Sequence, residues 1–232
     1  MEKYIKSITA LNTLTLSNSN KSEVDRYAES DIFWAANKNK ALLKRKVKKG
    51  NVYQFEFGKN FIPEMSYEHR GLVIGSSGQL LYVLPICSYN SKIAEHKNAY
   101  HPTDNPTSKS NYFLLKRSEH AFLTHDSVLK LNDIRTVSVA RIKYKQENGF
   151  LDPNSDTYKA IEKIVFSKYF FDYSFNFDRL TMNNEELTEQ LSEVKEKHEA
   201  AEKQIASMKE MVEKHGFDEE CQEYLKKVLC IK

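Results

Sequence analysis

The sequence contains few cysteines, glycines and prolines and no long apolar run. Its three cysteines, Cys87, Cys221 and Cys230, lie far apart, with a spacing that suits neither a disulfide scaffold nor a zinc site. No apolar run approaches ~18 residues, so we predict no membrane-spanning segment. The formal net charge is only +3, which does not by itself establish a nucleic-acid partner. These absences favour a globular protein with reduced thiols.

The sequence does contain enough apolar and aromatic residues for a packed core. Hydrophobic residues make up 40% of the 232 positions, and there are 13 tyrosines and 13 phenylalanines. This composition is typical of a folded domain rather than of a disordered chain. The first residues, Met1 to Leu16, lack the compact apolar stretch and the small-residue cleavage site of a signal peptide, so we expect a cytoplasmic location.

Residues 1–46 are predicted to form a helical N-terminal arm. A polar stretch at Ser17–Ser22 precedes a segment without proline or glycine that extends to Arg45. Its apolar residues approximate one helical stripe, and Ser30 or Asp31 is predicted to cap the helix near its start.

Residues 47–172 are predicted to form a small β domain with a terminal helix. Short runs of aromatic and β-branched residues predict strands. These runs are Val52–Phe57, Leu72–Ile74, Leu80–Ile86, Tyr112–Leu115 and Val137–Ile142. A turn at Gly75–Gly78 makes a hairpin of the second and third runs, and Pro85 is expected to end the third strand or bulge it. We interpret Asn90–Asn111 as a long loop. We expect the sheet to curl into a barrel, with a helix over Ser155–Phe171 packed on it.

Residues 173–232 are predicted to form a coiled coil and a short C-terminal helix. One heptad position holds Leu180, Leu187, Val194, Ala201 and Met208, and the other holds Asn184, Leu191, His198, Ile205 and Val212. Gly216 is expected to end this helix, and Asp218 to cap the short one. Because an unpaired seam exposes apolar side chains, the arm is predicted to self-associate or to hold a partner, the alternative being packing within the chain.

Two segments of the β domain resemble the PemK/MazF family of toxin ribonucleases in both order and separation. The first includes Gly50–Tyr53 and His69–Ile74, which are similar to the family's first and second strands. The second runs from Asp126 to Val137, contains Asp-Ser-Val and Asp-Ile-Arg-Thr, and is followed by Arg141–Ile142. The resemblance covers about half of the chain.

The resemblance implies an α+β fold built on an SH3-like β-barrel that forms a homodimer. It also implies cleavage of single-stranded RNA without metal or cofactor, leaving a cyclic phosphate and a 5′-hydroxyl, and an antitoxin protein as partner. The family's catalytic pair is an Arg and a Thr. Arg70 matches the Arg, Cys87 aligns with the Thr, Ser88 follows it, and Gly71 replaces the family's usual proline.

Cleavage without metal requires activation of the ribose 2′-hydroxyl, stabilisation of charge on the phosphate and protonation of the leaving oxygen. Arg70 suits the phosphate, because a guanidinium presents a fixed fork of donors. A Ser88 hydroxyl is a better donor than a Cys87 thiol. His69 would carry protons easily, but neighbouring residues of a strand face opposite sides, which separates His69 from Arg70 and Cys87 from Ser88.

RNA contacts are expected in the loops after the first and third strands and beside Arg70. The residues predicted to bind substrate are Lys59, Asn60, Glu64, Tyr67, His69, Tyr89 and Lys92. His120 and His125 show no ligand spacing and are not predicted to be catalytic, and Arg135 is expected to brace the sheet through hydrogen bonds.

Two further hypotheses stay open. One is a PemK/MazF-like module that has lost catalysis and binds RNA or protein, and the other is a topoisomerase poison similar to the CcdB family.

Overall fold

The computed structural model describes residues 1–39 and 47–215, together with Glu219, Glu223, Tyr224 and Lys227. The chain divides into two compact units, Met1–Tyr169 and Phe170–Lys232. The described helices are α1 (Glu2–Asn18), α2 (Lys21–Asn37), α3 (Ala94–Lys97), α4 (Asp156–Tyr169) and α5 (Phe171–His215). The strands are β1 (Asn51–Glu56), β2 (Glu68–Ser77), β3 (Leu80–Ser88), β4 (Tyr112–Leu115), β5 (Ser127–Lys130), β6 (Arg135–Ser138) and β7 (Ile142–Phe150). None of the described helices is long and apolar enough to cross a membrane.

The N-terminal arm consists of two helices that are separated at the predicted polar stretch. Asn20 caps α2, because its side-chain oxygen accepts a hydrogen bond from the Glu23 backbone N–H at 3.0 Å. The predicted caps Ser30 and Asp31 are wrong, since both lie inside α2. Ser30 instead donates to the Glu56 carboxylate at 2.9 Å, which fixes α2 to β1. The expected continuation to Arg45 falls largely outside the described residues.

The strands form one antiparallel sheet in the order β4, β5, β3, β2, β1, β7, with β6 also paired to β3. The predicted hairpin is confirmed: Ser77 pairs with Leu80, and Gly78 takes the positive φ of +60° that the turn requires. The α+β class is therefore confirmed. In the part of the chain that is described, the terminal strands β4 and β7 do not pair with each other, so the sheet is not closed and the expected barrel is not confirmed.

Pro85 neither ends β3 nor shifts its register against β2, so the predicted end or bulge is wrong. On one side β3 pairs with β6 from Leu80 to Val83 and then with β5 from Ile86 to Ser88. Pro85 lies between the segments of β3 that pair with β6 and with β5, so neither of these strands needs a backbone N–H from it. The strand therefore continues through the proline and carries Ser88 into the sheet.

The predicted strand Val137–Ile142 is also wrong, because the chain turns within it. β6 ends at Ser138, whose hydroxyl accepts a hydrogen bond from the Ala140 N–H at 3.2 Å and caps a short 3-10 helix, Val139–Arg141. β7 then begins at Ile142 and has a mostly polar sequence.

The long loop Asn90–Asn111 is present between β3 and β4, but it includes the short helix α3. The short helix predicted after Asp218 lies largely outside the described residues.

The sheet carries an apolar cluster on each face. We call the face covered by helix α4 the α4 face. Its buried residues include Val52, Leu72, Leu84, Ile86, Phe113, Leu129, Leu131, Tyr158, Ile161 and Val165. The opposite face carries Tyr53, Phe55, Phe57, Val73, Leu81, Val83, Val137 and Ile142. Side chains of α4 at helical spacing fill the first cluster, which confirms the predicted helix packed on the sheet.

Gly71 is predicted to tolerate no side chain. A Cβ atom there would lie 2.4 Å from Val83 Cγ1 and 2.9 Å from Phe55 Cδ2, and both neighbours are fully buried. We expect Gly71→Ala to lower the free energy of unfolding by about 1–3 kcal/mol, as overpacking does. Urea unfolding followed by circular dichroism measures the change. Ser77→Ala, on the exposed end of the same strand, is the control and should change it by less than about 0.5 kcal/mol. An unchanged unfolding midpoint for Gly71→Ala would contradict the packing.

Candidate functional site

Arg70 lies near the start of β2, where the α4 face passes from apolar to polar residues. It is opposite Gln54 on β1 and opposite Ile86 on β3. Directly opposite residues of an antiparallel pair share a face, so Arg70 continues the row that includes buried Leu72. The guanidinium is half-buried at the edge of the first apolar cluster.

The Arg70 guanidinium reaches across β3 to β5. Its Nη2 donates to the hydroxyl of Ser127 at 3.1 Å, and β3 lies between the two strands. Ser127 is fully buried, and its hydroxyl donates to the His125 carbonyl at 3.1 Å. Burial lowers the pKa of Arg70 from its usual value, while nearby Cys87 and Tyr144 raise it. A guanidinium stays protonated under such shifts, so Arg70 is a positioned cation.

Ser88 is on the same face as Arg70. It is directly opposite Ser127, the residue that accepts the arginine's hydrogen bond, and it lies two residues after Ile86 on β3. Ser88 is exposed, whereas Ser127 is buried. The Ser88 hydroxyl therefore lies at the solvent side of the strand pair that the guanidinium spans.

Cys87 faces the other way. It pairs with Val128, and the alternation of side chains along β3 turns it away from the face of Arg70 and Ser88. Burial raises the pKa of its thiol, and Lys130 and Arg70 oppose that rise. The register therefore places Ser88 on the face of Arg70 and turns the Thr-aligned Cys87 to the other face.

The structure adds His125, which sequence analysis did not select. Its Nε2 lies 2.8 Å from Ser88 Oγ, and its Nδ1 lies 2.9 Å from Thr124 Oγ1, with donor and acceptor set by the tautomer. The imidazole is exposed and is held by a hydroxyl at each nitrogen. His125 could have been found from its position two residues before Ser127, because Ser127 begins β5 and pairs with Ser88.

Tyr144 is a second residue that sequence analysis missed. It pairs with Gln54, which in turn pairs with Arg70, so the three form a row across β7, β1 and β2. The tyrosine side chain is 53% exposed, which leaves its ring open to a planar ligand. Its strand, β7, has no strand-like alternation, and so the row could not be predicted.

Two of the predicted substrate-binding residues pack against helix α2. Lys59 pairs with Asp31 at 2.5 Å, and its ammonium lies 3.7 Å from the centre of the Tyr27 ring. The Arg26 guanidinium lies 5.7 Å from the ring centre of Tyr67. The Lys59 and Tyr67 side chains, which were expected to contact RNA, therefore contact helix α2 of the protein's own N-terminal arm.

Two others stabilise the loop between β1 and β2. The Asn60 amide donates to the Phe57, Gly58 and Met65 carbonyls at 2.8–3.3 Å. The Glu64 carboxylate lies 3.5 Å from Arg135. Arg135 also bonds to Asp133 at 2.8 Å, which confirms its expected bracing role.

The last three predicted residues are His69, Tyr89 and Lys92, and none of them has a described hydrogen bond to Arg70. His69 pairs with Phe55 of the opposite cluster, and burial together with Arg26 lowers its pKa. The Tyr89 ring lies 6.2 Å from the His96 ring. Lys92 is exposed, and the only hydrogen bond described for it runs from its backbone N–H to Asn90.

The groups around Arg70 suit an anion. A guanidinium fork and exposed hydroxyls donate to phosphate oxygens, and an imidazole nitrogen can accept or donate a proton. Within residues 1–39 and 47–215, no group of three or more His, Cys, Asp and Glu side chains is placed to hold a metal ion. The arrangement can bind a phosphate and move a proton beside it.

The chain matches no protein-family model, and no curated protein matches it. The resemblance to PemK/MazF ribonucleases therefore stays a prediction from the motifs around Arg70 and Ser127.

Cys87 is predicted to react slowly with alkylating reagents. Because its thiol pKa is raised from 9.0 by burial, less thiolate is present at any pH below that value than in the unfolded chain. In a Cys221→Ser/Cys230→Ser background, we expect the rate of iodoacetamide labelling to reach its half-maximum at a higher pH when the protein is folded than when it is unfolded in urea. Mass spectrometry measures the rate. Equal midpoints would contradict the half-buried position of the thiol.

Proposed function

We propose that this protein is an endoribonuclease that cleaves single-stranded RNA without a metal ion. The observation that carries the proposal is the convergence of the Arg70 guanidinium, the Ser88 hydroxyl and the His125 imidazole at β2, β3 and the start of β5. Cleavage without a metal ion requires groups that stabilise the charge on the phosphate and a group that transfers protons. Arg70 and Ser88 can donate hydrogen bonds to the phosphate, and His125 can transfer the proton.

In the proposed reaction the scissile phosphate lies against Arg70 and Ser88. His125 takes the proton of the ribose 2′-hydroxyl, and the 2′-oxygen forms a bond to phosphorus. The bond from phosphorus to the 5′-oxygen breaks, and that oxygen takes a proton from water, which reaches the exposed Ser88 and His125. The products are a cyclic phosphate and a free 5′-hydroxyl. Arg70 stabilises the charge on the phosphate oxygens in the transition state.

We propose further that the sheet corresponds to the SH3-like barrel of PemK/MazF toxins. The support is the change of partner along one side of β3 at Pro85, where pairing with β6 gives way to pairing with β5. By the same resemblance, we propose a cytoplasmic toxin that acts as a homodimer and is neutralised by an antitoxin protein.

The first test is cleavage of a labelled single-stranded RNA in EDTA. We expect wild type to produce fragments with cyclic phosphate and 5′-hydroxyl ends, identified by mass spectrometry. Arg70→Ala should lower the rate by about 100- to 1,000-fold, the usual cost of removing a donor to a developing charge. Arg179→Ala, which removes an exposed arginine of α5, should keep the wild-type rate. Full activity in Arg70→Ala would refute the site.

The second test distinguishes the two sides of β3. Ser88→Ala and His125→Gln should each slow cleavage, His125→Gln by about 100-fold or more because it removes a general base. Cys87→Ala should retain most of the activity, because this thiol faces away from Arg70. Single-turnover rates at saturating RNA measure the chemical step. If only Cys87→Ala loses activity, the family's own pairing of Arg70 with position 87 is correct and the proposed site is not.

A second candidate function is favoured by one observation. Cys87 replaces the family's Thr and faces away from Arg70, so a catalytically degenerate module that binds RNA or protein would show the same structure. Such a module would bind the RNA with an Arg70-dependent affinity, measured by fluorescence anisotropy, and would yield no fragments.

A further inference from the structure

Helix α5 exposes a continuous apolar seam. The helix has 45 residues and is ~68 Å long at the usual rise per residue. The seam residues Leu187, Leu191 and Val194 are 61%, 55% and 60% exposed. Helices of this kind gain most of their stability from packing of the apolar side, so the seam requires a partner.

The spacing assigns each seam residue to a heptad position. Leu180 and Asn184 are four residues apart, and Asn184 and Leu187 three, so Leu180 occupies position d and Asn184 position a. The d positions hold Leu180, Leu187, Val194, Ala201 and Met208. The a positions hold Phe177, Asn184, Leu191, His198 and Ile205. Both polar residues of this seam, Asn184 and His198, are therefore at a.

This distribution determines which orientation a second copy can adopt. In an antiparallel pair, a residues of one helix meet d residues of the other, so Asn184 and His198 would always face apolar side chains. In a parallel pair in register, each a residue meets its own copy. Asn184 then faces Asn184 and His198 faces His198, and polar groups buried in the seam find polar partners.

We propose that α5 binds a second copy of this chain as a parallel, in-register coiled coil. A second observation supports the same arrangement. Lys197 is at position g and Glu202 at the following e, and in a parallel dimer these two positions of different helices are neighbours. By symmetry two such ion pairs form. In the single helix the described ion pair of Lys197 is with Glu193, at 3.6 Å, and both side chains are largely exposed.

The other g and e positions are compatible with this pairing. Their combinations in the parallel register are Asn183 with Thr188, Gln190 with Lys195, and Gln204 with Lys209. None of the combinations brings like charges together. The seam is thus complementary to itself in charge as well as in polarity, which favours a second copy over an unrelated partner.

The first experiment measures the mass of the full chain in solution by light scattering and sedimentation. We expect dimers of wild type and loss of the dimer in Leu191→Asp/Ile205→Asp, which places charges at two a positions. The matched control is Ser192→Asp/Ala206→Asp, which adds the same charges one residue further on, at outward b positions, and should stay dimeric. Monomeric wild type, or a dimer that persists in the seam variant, would overturn the proposal.

The second experiment tests the orientation. In a chain with Cys87→Ser, Cys221→Ser and Cys230→Ser, Val194→Cys places one thiol at a d position. A parallel dimer in register brings the two copies of residue 194 together, so oxidation should link most of the dimer. Glu193→Cys, at an outward position, should link only at the background level. Intact dimers without a Val194→Cys link would overturn the parallel register, whatever the result for RNA cleavage.

Discussion

The strand β3 is the element on which the candidate site depends, because it pairs with three other strands. The register with β2 sets Ile86 opposite Arg70, and the register with β5 sets Ser88 opposite Ser127. A shift of one residue would turn Cys87 towards Arg70 and Ser88 away from it. The buried pairs Leu72 with Leu84 and Ile86 with Leu129 oppose such a shift, since it would turn the apolar side chains of β3 away from the α4-face cluster. The core thus determines which side chain accompanies the arginine.

Gly71 connects this packing to the position of Arg70. The backbone of β2 approaches Val83 and Phe55 so closely at this residue that even a methyl group would overlap them. A proline at this position would add ring atoms in the same place. Glycine therefore fits the close contact between β2 and the opposite-face cluster. It holds Arg70 at a point where the guanidinium can span β3.

The sequence predicted those helices, strands and turns that depend on residues close together in the chain. The hairpin turn, the strands led by aromatic residues and the two long helices, α4 and α5, were all recognisable from spacing. β7 was missed because its residues are mostly polar and because its partner, β1, is distant in sequence. His125 and Tyr144 were missed for the same reason, since each is brought to the Arg70 face by pairing between distant strands. Motif spacing indicated Arg70 and the neighbourhood of Ser88, but only the register separated Ser88 from Cys87.

Two residues of the loop after β1 that were predicted to bind RNA contact helix α2. Lys59 and Tyr67 have the charge and the ring that RNA binding needs, yet Asp31, Tyr27 and Arg26 of α2 engage them. An ammonium already paired with a carboxylate must lose that partner before it can bind a phosphate, which reduces the net gain. Arg70 has no such cost, because its described partner is the neutral hydroxyl of Ser127. Of the two cations Lys59 and Arg70, only Arg70 is therefore described without a carboxylate partner.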